Sequence, residues 1–289
     1  MSTRVLITGA LGQLGLALAQ VLSSGMDLLL TDLEPGDSGV APCDITSWEQ
    51  VKEAVRSFKP QYIVNSAAMT DVDGNEREPE RARLVNTVGV EHLLAAGAEA
   101  GARLVQVSTD YVFDGTAGPY LESDKPAPLS VYGRTKLEAE RLVLEGDAHL
   151  VIRANVLFGP DIESRASFVH WVVNSLEEGK QIRVVDDQIN NPTLTTNLAE
   201  AIRKALEQGA GGLYHYGGLE FASRYDFALK IAQHFNLPVE GIATITTKEL
   251  DQLAPRPLKG GLICSKMKME LNVTNSNISE GLSQAFPVS

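Results

Sequence analysis

Two side chains four residues apart, Tyr132 and Lys136, have types and a spacing that suggest acid–base chemistry. Ser130 is a favourable N-cap and helix-forming residues follow it, so we expect a helix with Tyr132 and Lys136 on one face. A phenol is a weak acid at neutral pH, and a neighbouring ammonium lowers its pKa by stabilising the phenolate. The pair therefore indicates proton exchange with a hydroxyl or carbonyl oxygen. An ordinary surface helix would show the same spacing. The motifs earlier in the chain therefore decide between a catalytic pair and a surface helix.

A glycine-rich turn lies between an apolar strand pattern at residues 4–8 and a helical pattern. It reads Gly9-Ala-Leu-Gly-Gln-Leu-Gly15. In this context Gly9 permits a tight turn, Gly12 lets the backbone approach a diphosphate, and Gly15 lets the helix pack closely on the sheet. The free N–H groups at the helix start would face the phosphates. We favour a dinucleotide site over a plain glycine-rich connection.

Asp32 ends the second predicted strand, residues 27–32, about 20 residues beyond the glycines. An acid there can accept both ribose hydroxyls of an adenosine and repel a 2′-phosphate, which favours NAD(H) over NADP(H). A carboxylate that only caps a turn is the competing interpretation. Asp44 precedes a predicted helix over 47–58 and is placed either to reach the adenine or to start that helix.

Two later strands bring polar or small residues to the same sheet edge. The strand pattern 61–68 runs into small residues, which let a flat cofactor approach or only permit tight packing. Asn86, inside a predicted helix over 79–101, either satisfies a buried backbone group or belongs to a polar relay. The next strand ends in Ser108 and Thr109, where ligands of open α/β sheets bind, although such a pair also forms turns.

The composition indicates a globular chain of one extended domain or two joined lobes. It has 289 residues and a net charge of −12, which argues against a nucleic-acid surface. No apolar run is as long as a membrane span, and the first residues form a strand pattern rather than a signal peptide. Cys43 and Cys264 show neither a disulfide framework nor metal-ligand spacing. We therefore expect a cytoplasmic protein without a metal, a nucleic-acid partner or membrane contact.

The order and spacing of these motifs resemble the extended short-chain dehydrogenase/reductases. The motifs are Gly9-x-x-Gly-x-x-Gly15, Asp32, Asn65-Ser-Ala-Ala68, Ser108-Thr-Asp-Tyr-Val-Phe-Asp-Gly115 and Tyr132-Gly-Arg-Thr-Lys136. Ser-Thr-Asp-Tyr-Val-Phe is narrower and resembles the dTDP-4-dehydrorhamnose reductase branch. The likeness covers nearly the whole chain, because it continues through Val184-Val-Asp-Asp-Gln188, Asn191-Pro-Thr193 and Ala254-Pro-Arg-Pro257.

The resemblance implies an α/β fold, namely a Rossmann-type doubly wound parallel sheet with a smaller C-terminal substrate lobe. Residues 1–155 and about 193–218 would form the NAD(P)-binding domain, and about 156–192 and 219–289 the lobe. The implied activity is reduction of the 4-keto group of a nucleoside-diphosphate sugar, most closely dTDP-4-dehydrorhamnose, by NAD(H) or NADP(H), with NADH favoured by Asp32. A homodimer is one assembly compatible with the sequence.

By the same resemblance, Thr109, Tyr132 and Lys136 are the catalytic set. Tyr132 would protonate the keto oxygen, Thr109 would hydrogen-bond it, and Lys136 would lower the tyrosine pKa and hold the nicotinamide ribose. The implied cofactor positions are Gly9, Gly12, Gln13, Leu14, Gly15, Asp32, Asp44, Ile45, Ala68, Met69, Thr70, Tyr132 and Lys136. The substrate positions are Thr109, Asp110, Val156 and Arg256.

Two positions on the substrate side depart from the branch. Val156 stands where the usual pattern has a tryptophan that shapes the sugar site, and Gly260 replaces a small polar residue. Arg256 is expected either to clamp a diphosphate bidentately or to pair with a surface acid. The departures keep two other interpretations open. One is a non-catalytic dinucleotide-binding partner resembling the regulatory subunit of methionine adenosyltransferase, and the other is a reductase or epimerase of another nucleotide sugar.

The C-terminal part shows weaker patterns. A helix is expected over 166–179 with Phe168, Trp171, Val172 and Leu176 at core spacing. A strand over 149–153 precedes it. A helix over 197–208 and a strand over 212–216 follow, and we expect that strand to return to the main sheet.

Overall fold

A parallel sheet of seven strands forms the centre of the molecule. The computed structural model describes residues 2–160 and 167–287. The strands of this sheet are β1 (Thr3–Thr8), β2 (Met26–Asp32), β3 (Ala41–Pro42), β4 (Tyr62–Asn65), β5 (Arg103–Thr109), β6 (Leu150–Ala154) and β11 (Gly212–His215). Their order is β11-β6-β5-β4-β1-β2-β3, and every pairing is parallel. This order confirms the predicted doubly wound Rossmann fold, and β11 lies beside β6 as expected.

Helices cover both faces of this sheet and build the C-terminal part. They are α1 (Gln13–Leu22), α2 (Trp48–Phe58), α3 (Val72–Arg77), α4 (Pro79–Arg83), α5 (Gly89–Ala100), α6 (Val131–Leu144), α7 (Phe168–Glu177), α8 (Thr195–Glu207), α9 (Arg224–His234), α10 (Thr247–Leu250), α11 (Ser265–Leu271) and α12 (Ile278–Ala285). Within the described residues, no helix is both long and apolar enough to cross a membrane.

The alternation of side chains along β1 gives the sheet its two cores. Val5 and Ile7 are fully buried in a cluster that includes Leu18 of α1 and Ile202 of α8. Leu6 points to the opposite face, where α2, α5 and α6 pack. Because a strand has period two, a run of consecutive apolar residues indicates a strand covered on both faces.

A separate apolar cluster lies in the C-terminal part of the chain. It joins α7, α9 and α12 through residues such as Val172, Phe227 and Leu282. Short strand pairs accompany it, formed by β7 (Leu157–Phe158) with β10 (Thr193–Leu194), β8 (Ile182–Val185) with β13 (Ile242–Ile245), and β9 (Ile189–Asn190) with β12 (Ala222–Ser223). The division of the chain into two domains stays a prediction; Met267 and Leu271 of α11 pack with the main-sheet cluster.

Several predicted boundaries differ from the observed ones. The helix expected over 79–101 is interrupted, because a π-helical turn, Leu84–Val88, separates α4 from α5. The strand expected over 61–68 ends at Asn65, after which the Ser66 hydroxyl donates to the Thr8 carbonyl at 2.6 Å. The predicted start of a helix at Ala166 lies outside the described residues, and α7 begins at Phe168.

Candidate active site

A cavity of about 690 Å³ opens along the carboxyl ends of five neighbouring strands, β2, β1, β4, β5 and β6. It runs from the acid end at Asp32, past the glycine turn, to Thr109, Tyr132 and Lys136. Of the site positions predicted from the sequence, those lining it are Gly9, Gly12, Gln13, Leu14, Gly15, Asp32, Asp44, Ile45, Ala68, Thr70, Thr109, Asp110, Tyr132, Lys136 and Val156. Met69 and Arg256 are not among the lining residues.

The glycine turn has the geometry that its sequence predicts. Gly9 has a φ of 66°, and a Cβ there would meet the Ala67 backbone nitrogen at 2.7 Å. A Cβ at Gly15 would lie 2.2 Å from the Gly9 carbonyl oxygen, so α1 can approach the turn only without a side chain. Gly12 is the N-cap of α1 and no side chain caps the helix there. These are the steric conditions for a diphosphate at a helix N-terminus.

Asp32 and Asp44 are both fixed by backbone hydrogen bonds. Asp32 accepts from the Leu11 nitrogen at 2.9 Å and from the Leu33 nitrogen at 2.8 Å, which ties the acid to the glycine turn. Asp44 accepts from the Thr46 nitrogen and hydroxyl, each at 2.8 Å, so it forms the turn before α2. Contact with the adenosine stays a prediction for both carboxylates.

The Met69 backbone lies behind the cavity wall and is held by two asparagines. Its nitrogen donates to Asn86 Oδ1 at 2.8 Å, and its carbonyl accepts from Asn75 Nδ2 at 3.0 Å. Asn86 Nδ2 also lies 3.2 Å from the hydroxyl of Thr135 on α6. Asn86 therefore satisfies backbone groups of Met69, the first of the two roles that its position in a helix suggested, and it also links the loop to α6. A polar relay through it stays a prediction. A π-helical turn is often found at such functional positions.

Thr109 and Tyr132 meet at the end of β5. Ser130 caps α6 by accepting from the Gly133 nitrogen at 3.2 Å, as predicted, and this places Tyr132 in the first turn. Thr109 and Tyr132 both line the cavity there. Lys136 lies one turn further along α6 and is 4% exposed. Its ammonium donates to the Val107 carbonyl at 2.7 Å. A hydroxyl pair and a buried ammonium thus share one wall of the cavity.

The pKa values of Tyr132 and Lys136 differ from those expected from the sequence. Burial raises the pKa of Tyr132 well above its ordinary value, and the interaction with the Thr109 side chain opposes this rise. Burial also lowers the pKa of Lys136 to about 8, against the opposing effect of Glu140. The expected lowering of the tyrosine pKa by Lys136 is not found, because desolvation dominates the shift and the Lys136 ammonium bonds to the Val107 carbonyl. Tyr132 is therefore held as a protonated donor.

A buried ion pair fixes α6 to the sheet beneath these residues. Glu140, one turn beyond Lys136, accepts from Arg153 Nε at 2.9 Å and Nη2 at 2.6 Å, and also from the Ser108 hydroxyl. The two side chains of the pair are 1% and 3% exposed. The Arg153 guanidinium lies 5.0 Å from the Phe113 ring centroid. The pair joins α6 to β5 and β6, the strands that flank the catalytic wall.

On the substrate side, Asp110 is buried at 4% exposure, and desolvation raises its pKa. It accepts from Asn155 Nδ2 at 3.3 Å. A Cβ on Gly260 would come within 2.8 Å of the Asp110 carboxylate, which accounts for the glycine at this position. Val156 has a φ of 41°, an unusual and strained conformation for a β-branched residue.

Arg256 does not reach the cavity. Its guanidinium pairs with Asp73 at 3.0 Å and donates to the Ala254 carbonyl at 2.9 Å, while the side chain is 7% exposed. The placement corresponds to pairing with an acid, the second of the two expected roles. A different arginine, Arg224, lines the cavity. Its place in the cavity was not predictable from the sequence, because a cation in the first turn of a helix has no distinguishing motif.

Comparison with known proteins places this site in a family. The family model described as "RmlD substrate binding domain" matches residues 3–287. The chain belongs to the RmlD substrate binding domain family. The dTDP-4-dehydrorhamnose reductase of Aggregatibacter actinomycetemcomitans is 35% identical over 294 aligned residues, which cover 96% of this chain and 97% of that protein. Methionine adenosyltransferase 2 subunit beta of Xenopus laevis, another relative, is 34% identical over 278 residues, which cover 92% of this chain and 82% of that protein.

A solved structure agrees with the fold. The dTDP-4-dehydrorhamnose reductase of Bacillus anthracis, in complex with NADP, superposes with a TM-score of 0.91 at 32% identity and covers 99% of both chains. These matches confirm the predicted fold, the predicted branch and the class of nicotinamide-dependent oxidoreductase. Within the described residues, no group of acids, histidines and cysteines is arranged to hold a metal ion.

Proposed function

We propose that this chain reduces the 4-keto group of a nucleoside-diphosphate sugar, with dTDP-4-dehydrorhamnose as its substrate and NADH as its preferred donor. The observation that carries the proposal is that Thr109, Tyr132 and Lys136 line the same cavity as the glycine turn and Asp32. A keto group beside Tyr132 would then lie at the catalytic end of a site whose other end suits a dinucleotide.

The bound nicotinamide would supply the hydride to the carbonyl carbon. The phenol of Tyr132 donates its proton to the carbonyl oxygen, so the products are the alcohol and the oxidised nicotinamide. Thr109, which lines the cavity with Tyr132, orients that oxygen and stabilises the negative charge that develops on it. The Lys136 ammonium stabilises the phenolate left after transfer, since a charge that develops in a buried site is more costly without a nearby cation.

The proposed preference for NADH depends on the acid end of the cavity. The positively charged residues that line the described part of the cavity are Lys136 and Arg224. Both belong to the catalytic end, because Lys136 bonds to β5 and the charge of Arg224 acts on Asp110 and Tyr111. A 2′-phosphate would therefore meet Asp32 without a compensating cation.

The test is oxidation of NADH and NADPH in the presence of a panel of nucleotide 4-keto sugars that includes dTDP-4-dehydrorhamnose. We expect turnover with the wild type, and a loss of roughly 100- to 10,000-fold in Tyr132→Phe, because that variant lacks only the proton donor. Reduced cofactor should still bind to this variant. No turnover of any panel member by the folded wild-type protein would reject the reductase proposal, and turnover of a different member alone would correct the substrate.

A second candidate function is that of a dinucleotide-binding partner subunit. It is supported by the identity of 34% to a beta subunit of methionine adenosyltransferase, which is nearly that found for the reductase. This candidate predicts association with a methionine adenosyltransferase catalytic subunit and a change in its activity. Mixing the two proteins and measuring both properties separates it from the reductase proposal.

A further inference from the structure

Arg224 lines the cavity, and its guanidinium is unpaired within the part of the chain that the structure describes. It is the first residue of α9 and is half-buried. Among the described residues, its guanidinium has no hydrogen bond and no carboxylate within ion-pair distance. The other two arginines of this region differ, because Arg256 is paired with Asp73 and Arg153 with Glu140. A guanidinium has five N–H donors, and those of Arg224 have no counterpart on the described residues that share its cavity.

The surroundings hold this guanidinium in place and leave it charged. Its central carbon lies 5.2 Å from the Phe168 ring centroid, a cation–π distance that orients the planar group. Asp110 and Tyr111 favour its charge, although burial lowers its pKa and Arg256 opposes the charge as well. A partly desolvated cation of this kind gains more from a bound anion than a fully exposed one would.

The position of Arg224 separates it from the part of the cavity expected to bind the cofactor diphosphate. That diphosphate is expected at Gly12 and the start of α1, which follow β1. Asp110 and Tyr111 follow β5, and β4 lies between these two strands in the sheet. An anion at Arg224 would therefore belong to the molecule that reaches Tyr132 from the C-terminal side, which is the sugar substrate.

We propose that Arg224 binds the diphosphate of the nucleotide sugar and thereby sets the class of substrate that the cavity accepts. The inference rests on the proposed function. A planar guanidinium with two outward N–H groups matches two phosphate oxygens, and a lysine cannot reproduce this bidentate geometry. A diphosphate is the anion shared by all nucleoside-diphosphate sugars, whereas a carboxylate would be present only in those with an acidic sugar.

The experiment measures binding of dTDP by calorimetry to protein saturated with NADH, so that dTDP cannot occupy the cofactor's own diphosphate site. We expect Arg224→Met to weaken dTDP binding roughly 10- to 100-fold and Arg224→Lys to weaken it less, while thymidine binding is unchanged. Arg183→Met is the matched control, because Arg183 is an exposed arginine on β8 of the same region. It should bind dTDP like the wild type, and NADH titration of every variant checks that the fold is intact.

Equal dTDP affinity in the wild type and in Arg224→Met would overturn the inference and leave the proposed reductase function standing. An effect of Arg224 that appears with UDP-glucuronate but not with UDP-glucose would also overturn it, since the recognised anion would then be a sugar carboxylate. Failure of the NADH-saturated wild type to bind any nucleoside diphosphate would overturn the inference and the proposed function together. In turnover, we expect Arg224→Met to raise KM with little change in kcat, which a structural defect would not produce selectively.

Discussion

Replacing Glu140 by glutamine should destabilise the protein strongly, although the shape of the side chain is nearly unchanged. The carboxylate is 1% exposed and balances Arg153, which is 3% exposed. Glutamine removes the negative charge and leaves the guanidinium buried without a counter-charge. The Ser108 hydroxyl, which donates to the carboxylate, loses a charged acceptor as well.

The expected cost follows from this burial. Removing one partner of a buried ion pair costs about 3–5 kcal/mol, because the remaining charge stays desolvated and unpaired. For a chain of this size, that loss corresponds to a decrease in melting temperature of roughly 5–8 °C. An exposed pair offers a matched control. Arg203 and Glu207 pair at 2.9 Å with 30% and 50% exposure, and Glu207→Gln should cost less than about 1 kcal/mol.

Urea unfolding of Glu140→Gln, Arg153→Met and the double variant measures the coupling directly. Because Arg153→Met removes the charge that Glu140→Gln leaves unpaired, the double variant should be more stable than the sum of the single losses predicts, by about 1–3 kcal/mol. Losses that add within about 0.5 kcal/mol would refute the reasoning. A Glu140→Gln variant no less stable than Glu207→Gln would refute it too.

Three further outcomes test the cofactor end, the strained valine and the buried lysine. Asp32→Ala should narrow the preference for NADH over NADPH in fluorescence titrations, and a wild-type preference for NADPH would show that the ribose is recognised elsewhere. In urea unfolding, Val156→Gly should be more stable than Val156→Ala by about 1 kcal/mol, the reverse of the ordinary order, because only glycine adopts a positive φ without strain; the ordinary order would contradict the strain. Since burial lowers the pKa of Lys136 to about 8, its ammonium is present below that pH and lost above it. The kcat should therefore fall as pH rises through about 8, whereas a profile unchanged there would exclude a role for the charge.

The parts of the site that local rules govern were predictable from the sequence. At Gly9 and Gly15 neighbouring backbone atoms leave no room for a side chain. Ser130 caps α6 through a hydrogen bond with Gly133, only three residues away in the sequence. Such features depend on neighbours along the chain. The strand ends that carry Thr109 were predictable for a related reason, because parallel strands bring their carboxyl ends to one edge of the sheet.

The features that depended on distant residues were not predictable. Arg256 pairs with Asp73, and no local pattern indicates that contact. Arg224 matters because no acid of the described residues pairs with it, which only the folded arrangement reveals. The pKa of Tyr132 was predicted in the wrong direction, since four-residue spacing indicates Lys136 as a neighbour but not how much water the fold removes.

The anchoring of α6 has a consequence for how the substrate range of such a protein can change. The helix is bonded to β5 and β6 through Glu140 and to the Met69 loop through Thr135 and Asn86, all within the main-sheet part of the molecule. Val156 and Arg224, which face the proposed sugar site, lie on the β6–β7 connection and on α9. Under the proposed function, mutations at these two positions would alter which sugar is accepted without moving the proton donor. The sugar specificity of such a protein could therefore diverge without compensating mutations around the residues proposed for hydride reduction.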